Sequence, residues 1–260
     1  EVTTTGPITI LRQGAYIVFT ATGSGSVNIR AVRPGQTIPP PSPPPPPTPT
    51  ATALVVVDTT VKFQTMNGWE GVTQAGQDNV VGWTEAVLDS AVALGINRVR
   101  LEIRSGAENP RSTDSLYEAG AITREEWRAT RMTTVNDNAD ANNADASGFH
   151  FYTVDKNIDR VVNPLRAKLA ARGESLWVNL TYVSFGQATP TYHATNGAEY
   201  AELMVTTFQH LQNKYGWVPN SIEIILEPDN GTQWTGTMIG NAIVAAGSRL
   251  ASAGFYPEFI

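Results

Sequence analysis

Ile222-Glu223-Ile224-Ile225-Leu226-Glu227-Pro228-Asp229-Asn230 is an apolar, β-branched run that ends on a carboxylate and then on turn-forming residues. Such a run reads as a buried strand closed by a turn. Side chains alternate along a strand, so Glu223, Ile225 and Glu227 are expected on one face, with Glu227 at the C-terminal end. Working outward, a helix is expected from about Thr235 to Ala253 and a fifth strand from Phe255 to Ile260. Upstream lie a strand over Leu176–Val183 and a helix carrying Tyr200, Leu203, Met204, Phe208 and Leu211. Asn196 and Glu199 make a capping box for that helix and Gly216 closes it. Further upstream, Asn97–Ile103 reads as a strand, and Ile158, Val161, Val162, Leu165 and Leu169 mark the helix that follows it. The first unit is a strand over Val61–Gly68 and a helix from Thr84 to Leu94 that presents Val87, Leu88, Ala91 and Val92 before stopping at Gly95.

Strands alternating with helices allow a closed barrel or an open doubly wound sheet. A dinucleotide-binding sheet wants a glycine-rich turn after its first strand, whereas Val61–Gly68 runs into Trp69-Glu70-Gly71-Val72. The expected fold class is therefore α/β, a (β/α)8 TIM barrel. A full barrel takes about 250 residues. This chain reaches the fifth strand, so the barrel is expected to be truncated after about four and a half β/α units.

With 260 residues, 41% hydrophobic and 16% charged, the chain can bury a substantial core. A net charge of -6 offers no reason to expect nucleic acid as a partner. No apolar run reaches the roughly 20 residues that span a bilayer. The absence of cysteine excludes disulfides, thiol nucleophiles and thiolate metal ligands. Pro39–Thr50, PPPSPPPPPTPT, reads as an extended polyproline spacer. It divides a β-rich module remnant (1–37), with β-prone runs at Ile8–Leu11, Ala15–Ala21 and Ser26–Val32, from the β/α region (53–260), the linker itself spanning 38–52. Pro/Thr spacers of this kind resemble those of secreted polysaccharide-degrading enzymes, which implies a secreted, extracellular protein.

Glu227 at the open end of a barrel strand suits general acid chemistry, because apolar walls raise a carboxyl pKa toward working pH. The same pattern fits a solvated Glu before a turn. Two further carboxylates, Glu70 and Glu102, are candidates near the same mouth or members of ion pairs with Arg98 or Arg100. The Asn136–Ser147 loop, NDNADANNADAS, offers oxygen ligands but lacks the glycine and terminal Glu of an EF-hand loop, and reads as a solvated loop. His150 and His193 lie in loops that could line a cleft, whereas His210 sits within a helix as a surface or packing residue. None is spaced as a metal pair, and Ser184 is not set in a nucleophile elbow.

Four segments resemble the clan of retaining (β/α)8 glycoside hydrolases that includes families 5, 30 and 39. Phe63-Gln64-Thr65-Met66-Asn67-Gly68-Trp69-Glu70-Gly71 is similar to the first strand of family 30-like enzymes, and Arg98-Val99-Arg100-Leu101 to the second. Asp155-Lys156-Asn157-Ile158-Asp159-Arg160-Val161-Val162 is similar to the helix before strand three, and Leu226-Glu227-Pro228 stands where the clan has Asn-Glu-Pro. The resemblance covers residues 61 to 260. It implies hydrolysis of O-glycosidic bonds in a β-linked polysaccharide or oligosaccharide, with Glu227 as acid/base. Leu226 departs from the clan's Asn, so contacts to the sugar 2-hydroxyl must differ. The clan's nucleophile lies on strand seven, outside these residues, which implies that the chain alone is inactive. Trp69, Glu70, Arg100, Tyr182, His193 and Trp234 are the expected substrate-binding residues. Phe185 and Tyr192 are further aromatic candidates. No metal and no cofactor are expected. The alternative is a non-catalytic carbohydrate-binding or adhesive module on a barrel-like scaffold, and oligomeric state leaves no signature in the sequence.

Overall fold

The computed structural model describes residues 2–13, 16–29, 55–58, 60, 65–74, 83–185, 192–230 and 234–260. The chain forms two compact units, Glu1–Met66 and Asn67–Ile260. In the first, β1 (Val2–Thr5) pairs antiparallel with β4 (Ser26–Ile29), and β2 (Ile8–Gln13), β3 (Tyr16–Ala21) and β5 (Val55–Asp58) form an antiparallel three-stranded sheet. Phe19 is buried in this unit. β5 lies C-terminal to the Pro-rich segment, so this unit draws strands from both sides of it. The segment itself lies outside the described residues.

The second unit is an α/β structure built on a five-stranded parallel sheet. Its strands are β6 (Trp69–Val72), β7 (Ile96–Arg104), β8 (Trp177–Val183), β9 (Ser221–Glu223) and β10 (Glu258–Phe259), and their spatial order follows chain order. Parallel neighbours need a crossover, and helices supply it. Between β6 and β7 runs α1 (Glu85–Leu94), the short α6 (Tyr192–Thr195) and α7 (Gly197–Tyr215) follow β8, and α8 (Gly236–Ser252) follows β9. The link from β7 to β8 is longest: α2 (Thr113–Glu118), α3 (Arg124–Thr130), then α4 (Tyr152–Asn157), a π-helical turn (Ile158–Val162) and α5 (Asn163–Ala170). Pro164 opens α5. It has no N–H for the carbonyl four residues back and its ring crowds that carbonyl, and the widened turn directly before it relieves both.

Local chemistry sets the ends of these helices. Thr84 accepts from the Val87 N–H to start α1, and Gly95, at φ 81, stops it by donating to the Ala91 and Val92 carbonyls. Thr235 starts α8 through the Met238 N–H. Asn196 caps α7 through the Ala198 N–H and Gly216 ends it at φ 74. Glu199 does not complete a box at this end as expected from sequence; it is 3% exposed and turned into the protein.

β7 to β9 divide by side-chain parity. Val99, Leu101 and Ile103, Val178, Leu180 and Tyr182, and Ile222 and Ile224 join one apolar cluster with Leu88, Ala91 and Val92 of α1, Ile158, Leu165 and Leu169, Tyr200, Leu203, Met204, Phe208 and Leu211 of α7, and Ala242, Ala246 and Leu250 of α8. The alternate residues are polar and bond across strands. Glu223 Oε2 accepts from Thr181 Oγ1 at 2.8 Å and Asn179 Nδ2 at 3.2 Å, Ser221 Oγ donates to Asn179 Oδ1 at 3.1 Å, and Arg100 lies 3.9 Å from Glu223 Oε1.

Three expectations change. The first parallel strand is Trp69–Val72 rather than Val61–Gly68; residues 61–64 lie outside the described residues, and 65–68 precede the ladder. Gly68 passes so close to Asn97 that a Cβ would sit 1.9 Å from its Oδ1, and only from Trp69 onward does the backbone pair with β7. Val87 is 46% exposed, outside the buried stripe of Leu88, Ala91 and Val92. The fourth strand ends at Glu223 rather than Leu226. Tyr200 Oη takes the Ile224 carbonyl and Leu226 N–H reaches the Tyr182 carbonyl at 2.9 Å, so alternation breaks and Ile225 joins the apolar core instead of sharing a face with Glu223 and Glu227. Leu180, at 0% exposure between β7 and β9, carries much of this packing. A Leu180→Ala substitution is expected to destabilise the unit by about 2–5 kcal/mol, measured by urea unfolding followed by far-UV circular dichroism.

Candidate functional site

The C-terminal ends of the parallel strands open onto a cavity of about 330 Å3. Val72 closes β6, Arg104 closes β7, Phe185 follows β8, and Leu226 and Glu227 follow β9; Gln74, Arg100, Glu102, Arg131 and Met132 complete the lining. β7 supplies the charges because its sequence alternates Arg98, Arg100, Glu102, Arg104, which places them all on the face away from the helices. Met132, Val183, Phe185 and Leu226 form a small apolar cluster beside them.

Two of the lining residues, Glu102 and Arg104, belong to a tightly bonded ion network. Arg104 Nε donates to Glu102 Oε1 at 2.6 Å and its Nη1 to Asp114 Oδ1 at 2.7 Å. Asp114 also accepts from Trp127 Nε1 and Thr153 Oγ1, both at 2.7 Å. Burial pushes the Asp114 carboxyl up, but Arg104 and these hydrogen bonds outweigh it and hold the carboxyl below its ordinary range. Glu102 is thus committed to Arg104, and the ion pair expected from sequence forms with that residue rather than with Arg98 or Arg100.

Glu227 stands at the rim. Its backbone is at φ 50, the only non-glycine residue with positive φ among those described, and such a conformation is strained for a side chain of this type. Asn230 holds it there, donating from Nδ2 to Glu227 Oε2 at 2.8 Å and from its backbone N–H to the Glu227 carbonyl at 3.0 Å. Of the expected substrate-binding residues, Arg100 lines this cavity with Glu227. Trp69, 59% exposed, opens β6 rather than following it, and Glu70 lies opposite Arg98 in register. Partial burial pushes the Glu70 carboxyl up against the opposing pull of Arg100 and Arg98.

Tyr182, His193 and Trp234 are not open platforms. Parity places Tyr182 on the apolar face with Val178 and Leu180, where it is 1% exposed and packs edge-on against Tyr200 and Trp234. Trp234 is 8% exposed in the same aromatic cluster, so the ring expected to stack on sugar instead fills the core. His193 is 1% exposed and bridges Tyr182 Oη (2.9 Å, at Nδ1) and Glu108 Oε2 (2.5 Å, at Nε2). A carboxylate only accepts, so Nε2 donates to Glu108, and in the neutral ring Nδ1 accepts from Tyr182. His150 lines a separate small pocket with Ile103, Arg104 and Asp114, where burial lowers its pKa. His210 pairs with Asp155 at 2.7 Å and stacks on Phe151, the packing role expected of it.

Residues 105–151, for which the sequence pattern predicts no strand or helix, contribute Asp114, Arg131 and Glu108 to this end of the sheet. Glu108 is completely buried, and one oxygen each from Glu108, Asp137 and Glu199 lie within 4.8 Å of one another, an arrangement able to hold a metal ion. Burial, Asp137 and Glu199 push the neighbouring Glu202 carboxyl well above the usual range. The one signal in the sequence was the Asp-rich stretch around Asp137; nothing marked its partners. Comparison with protein-family models, curated proteins and solved structures gives no match.

The Asp114 network carries a pH signature. With its pKa depressed in the folded state, Asp114 contributes stability that is full above its ordinary value of 3.8 and is lost as pH falls through the lower folded value. Asp114→Asn is expected to remove that part of the acid sensitivity and to destabilise the fold at neutral pH by about 3–5 kcal/mol, through loss of the partner of Arg104. Urea unfolding at several pH values between 2 and 7 reads both effects.

Proposed function

We propose that this chain carries the N-terminal part of a (β/α)8 glycoside hydrolase that cleaves β-linked polysaccharide or oligosaccharide with retention, with Glu227 as acid/base. The observation that carries the reading is Glu227 itself: a carboxylate held in a strained backbone conformation at the rim of a polar cavity, just past the C-terminal end of a parallel strand. Two features of the sheet support the barrel. Its strand order never reverses, whereas a doubly wound sheet has a switch point. One face is apolar beneath the helices and the other is polar and cross-bonded, whereas a doubly wound sheet buries both faces in apolar contacts.

In this mechanism Glu227, protonated, donates to the leaving glycosidic oxygen as a second carboxylate attacks the anomeric carbon; Glu227 then takes a proton from water as the glycosyl ester is hydrolysed. Within the cavity the other carboxylate, Glu102, is bound to Arg104, so the nucleophile is assigned to sequence outside these residues. Arg100 faces the cavity beside Glu227 and is positioned to contact substrate hydroxyls. Secretion belongs to the same proposal and rests on the Pro/Thr-rich spacer.

The test is reducing-end release from a panel of β-linked polysaccharides by the complete reading frame and its Glu227→Gln variant. The variant is expected to lose at least about a hundredfold in kcat with little change in KM, because a group acting only in the transition state is removed. The loss should shrink for aryl glycosides whose leaving group needs no proton. Cleavage that survives in Glu227→Gln removes the assignment, and saturable oligosaccharide binding without cleavage by either protein transfers the chain to the binding modules.

A further inference from the structure

Away from the cavity lining, three stretches of chain bring carboxylates together. Glu108 follows β7, Asp137 comes from the Asn/Asp-rich loop and Glu199 from the first turn of α7, with one oxygen of each within 4.8 Å of the others. Like charges at this spacing repel, and far more strongly out of water than in it. Glu108 is completely buried and Glu199 is 3% exposed. The described ion pairs give the three carboxylates no Lys or Arg partner; His193 is the single basic group bonded to them, through Glu108. Arg249, which acts on Glu202 from nearby, directs its Nη1 to the Ala141 and Ala198 carbonyls.

A second, independent observation concerns orphaned oxygens. Glu199 Oε2 has no hydrogen-bond partner, nor has either carboxyl oxygen of Glu202, which is 1% exposed and one turn along the same face of α7. Buried polar atoms are satisfied in native proteins, and three unsatisfied acceptor oxygens on two adjacent acids call for a donor or a cation that reaches all of them. A proton shared between Glu199 and Glu202 uses one oxygen of each and leaves the third orphaned. Asp137, in contrast, is already aimed: its oxygens accept from Asn138 N and Nδ2 and from the Asp145 N–H, and its own N–H reaches Glu108 Oε1.

We propose that Glu108, Asp137, Glu199 and Glu202 bind a divalent cation, Ca2+, which fastens the Asn/Asp-rich loop to α7 and to the end of β7. The donors are all hard oxygens, which selects Ca2+, Mg2+ or Mn2+ over softer metals. A buried, carboxylate-rich cage drawn from a loop, the end of β7 and the first turns of α7 suits the variable geometry of Ca2+, whereas Mg2+ retains its waters and asks for near-octahedral order. The site is distinct from the Glu227 cavity and its role is structural.

The test uses the whole 260-residue chain, stripped with EDTA and exchanged into metal-free buffer. Calorimetric titration with CaCl2 is expected to give one site, at least tenfold tighter than MgCl2, and saturating Ca2+ to raise Tm by about 5 °C. Tb3+ should bind competitively with Ca2+ and luminesce through Tyr192, whose hydroxyl meets Glu199. Asp137→Asn, the change at the half-buried ligand, should weaken Ca2+ at least tenfold; Glu202→Gln serves as the second variant and should do the same. No heat, no Tm shift and no Tb3+ signal overturn the proposal. So does Ca2+ binding that both variants retain unchanged, which places the ion elsewhere. A Glu202→Gln chain that is more stable in EDTA, with a wild type indifferent to Ca2+, assigns the cluster to a shared proton instead.

Discussion

Val99, Leu101 and Ile103 leave β7 on one side and Arg100, Glu102 and Arg104 on the other, and satisfying both sides at once constrains everything packed around this strand. The apolar side demands helices, which α1, α7 and α8 provide. The charged side cannot be covered in the same way. Its charges either pair, as Arg104 does with Glu102 and Asp114, or face a cavity, as Arg100 does. Burying an unpaired guanidinium costs several kcal/mol, so the polar face organises the open end of the sheet as firmly as the apolar face organises its back.

The long connection after β7 follows from the same requirement. Asp114 at the start of α2 and Trp127 in α3 arrive beside Arg104 only because the chain leaves the sheet and returns to it. Its return is sewn in place by bonds to backbone carbonyls: Ser105 Oγ donates to the Met132 carbonyl at 2.6 Å, Val135 N–H to the Glu108 carbonyl and His150 N–H to the Ala107 carbonyl. Gly106 permits that approach, since a Cβ there would lie 2.4 Å from the Arg131 carbonyl oxygen. The acidic cluster of Glu108, Asp137 and Glu199 lies along this seam, and His193 links it through Tyr182 to the aromatic core.

Much of the second unit was legible in the sequence. The apolar period of α7, the helix starts at about Thr84 and Thr235 and the Gly95 and Gly216 stops are local features, set by hydrogen bonds and φ angles within a few residues, and the structure has them where the sequence puts them. Period-two patterning likewise predicted β7 and β8 to within a residue. Where alternation ran into competing partners it misled: Ile225 and Leu226 obey Tyr200 and the Tyr182 carbonyl rather than strand parity.

The sequence by itself determined the alternation of the sheet strands with α1, α5, α7 and α8 and set Glu227 before a turn, because those follow from contacts near in the chain. Only the tertiary structure decided which side chains meet. Tyr182, His193 and Trp234 have the chemistry of sugar contacts in any linear reading, and neighbours distant in the chain, Tyr200 and Glu108 among them, bury them. Arg104 and Asp114, or Glu108, Asp137 and Glu199, carry no shared spacing. What joins them is the low dielectric of the interior, where charges must find one another across many residues of chain, and no local pattern records that choice.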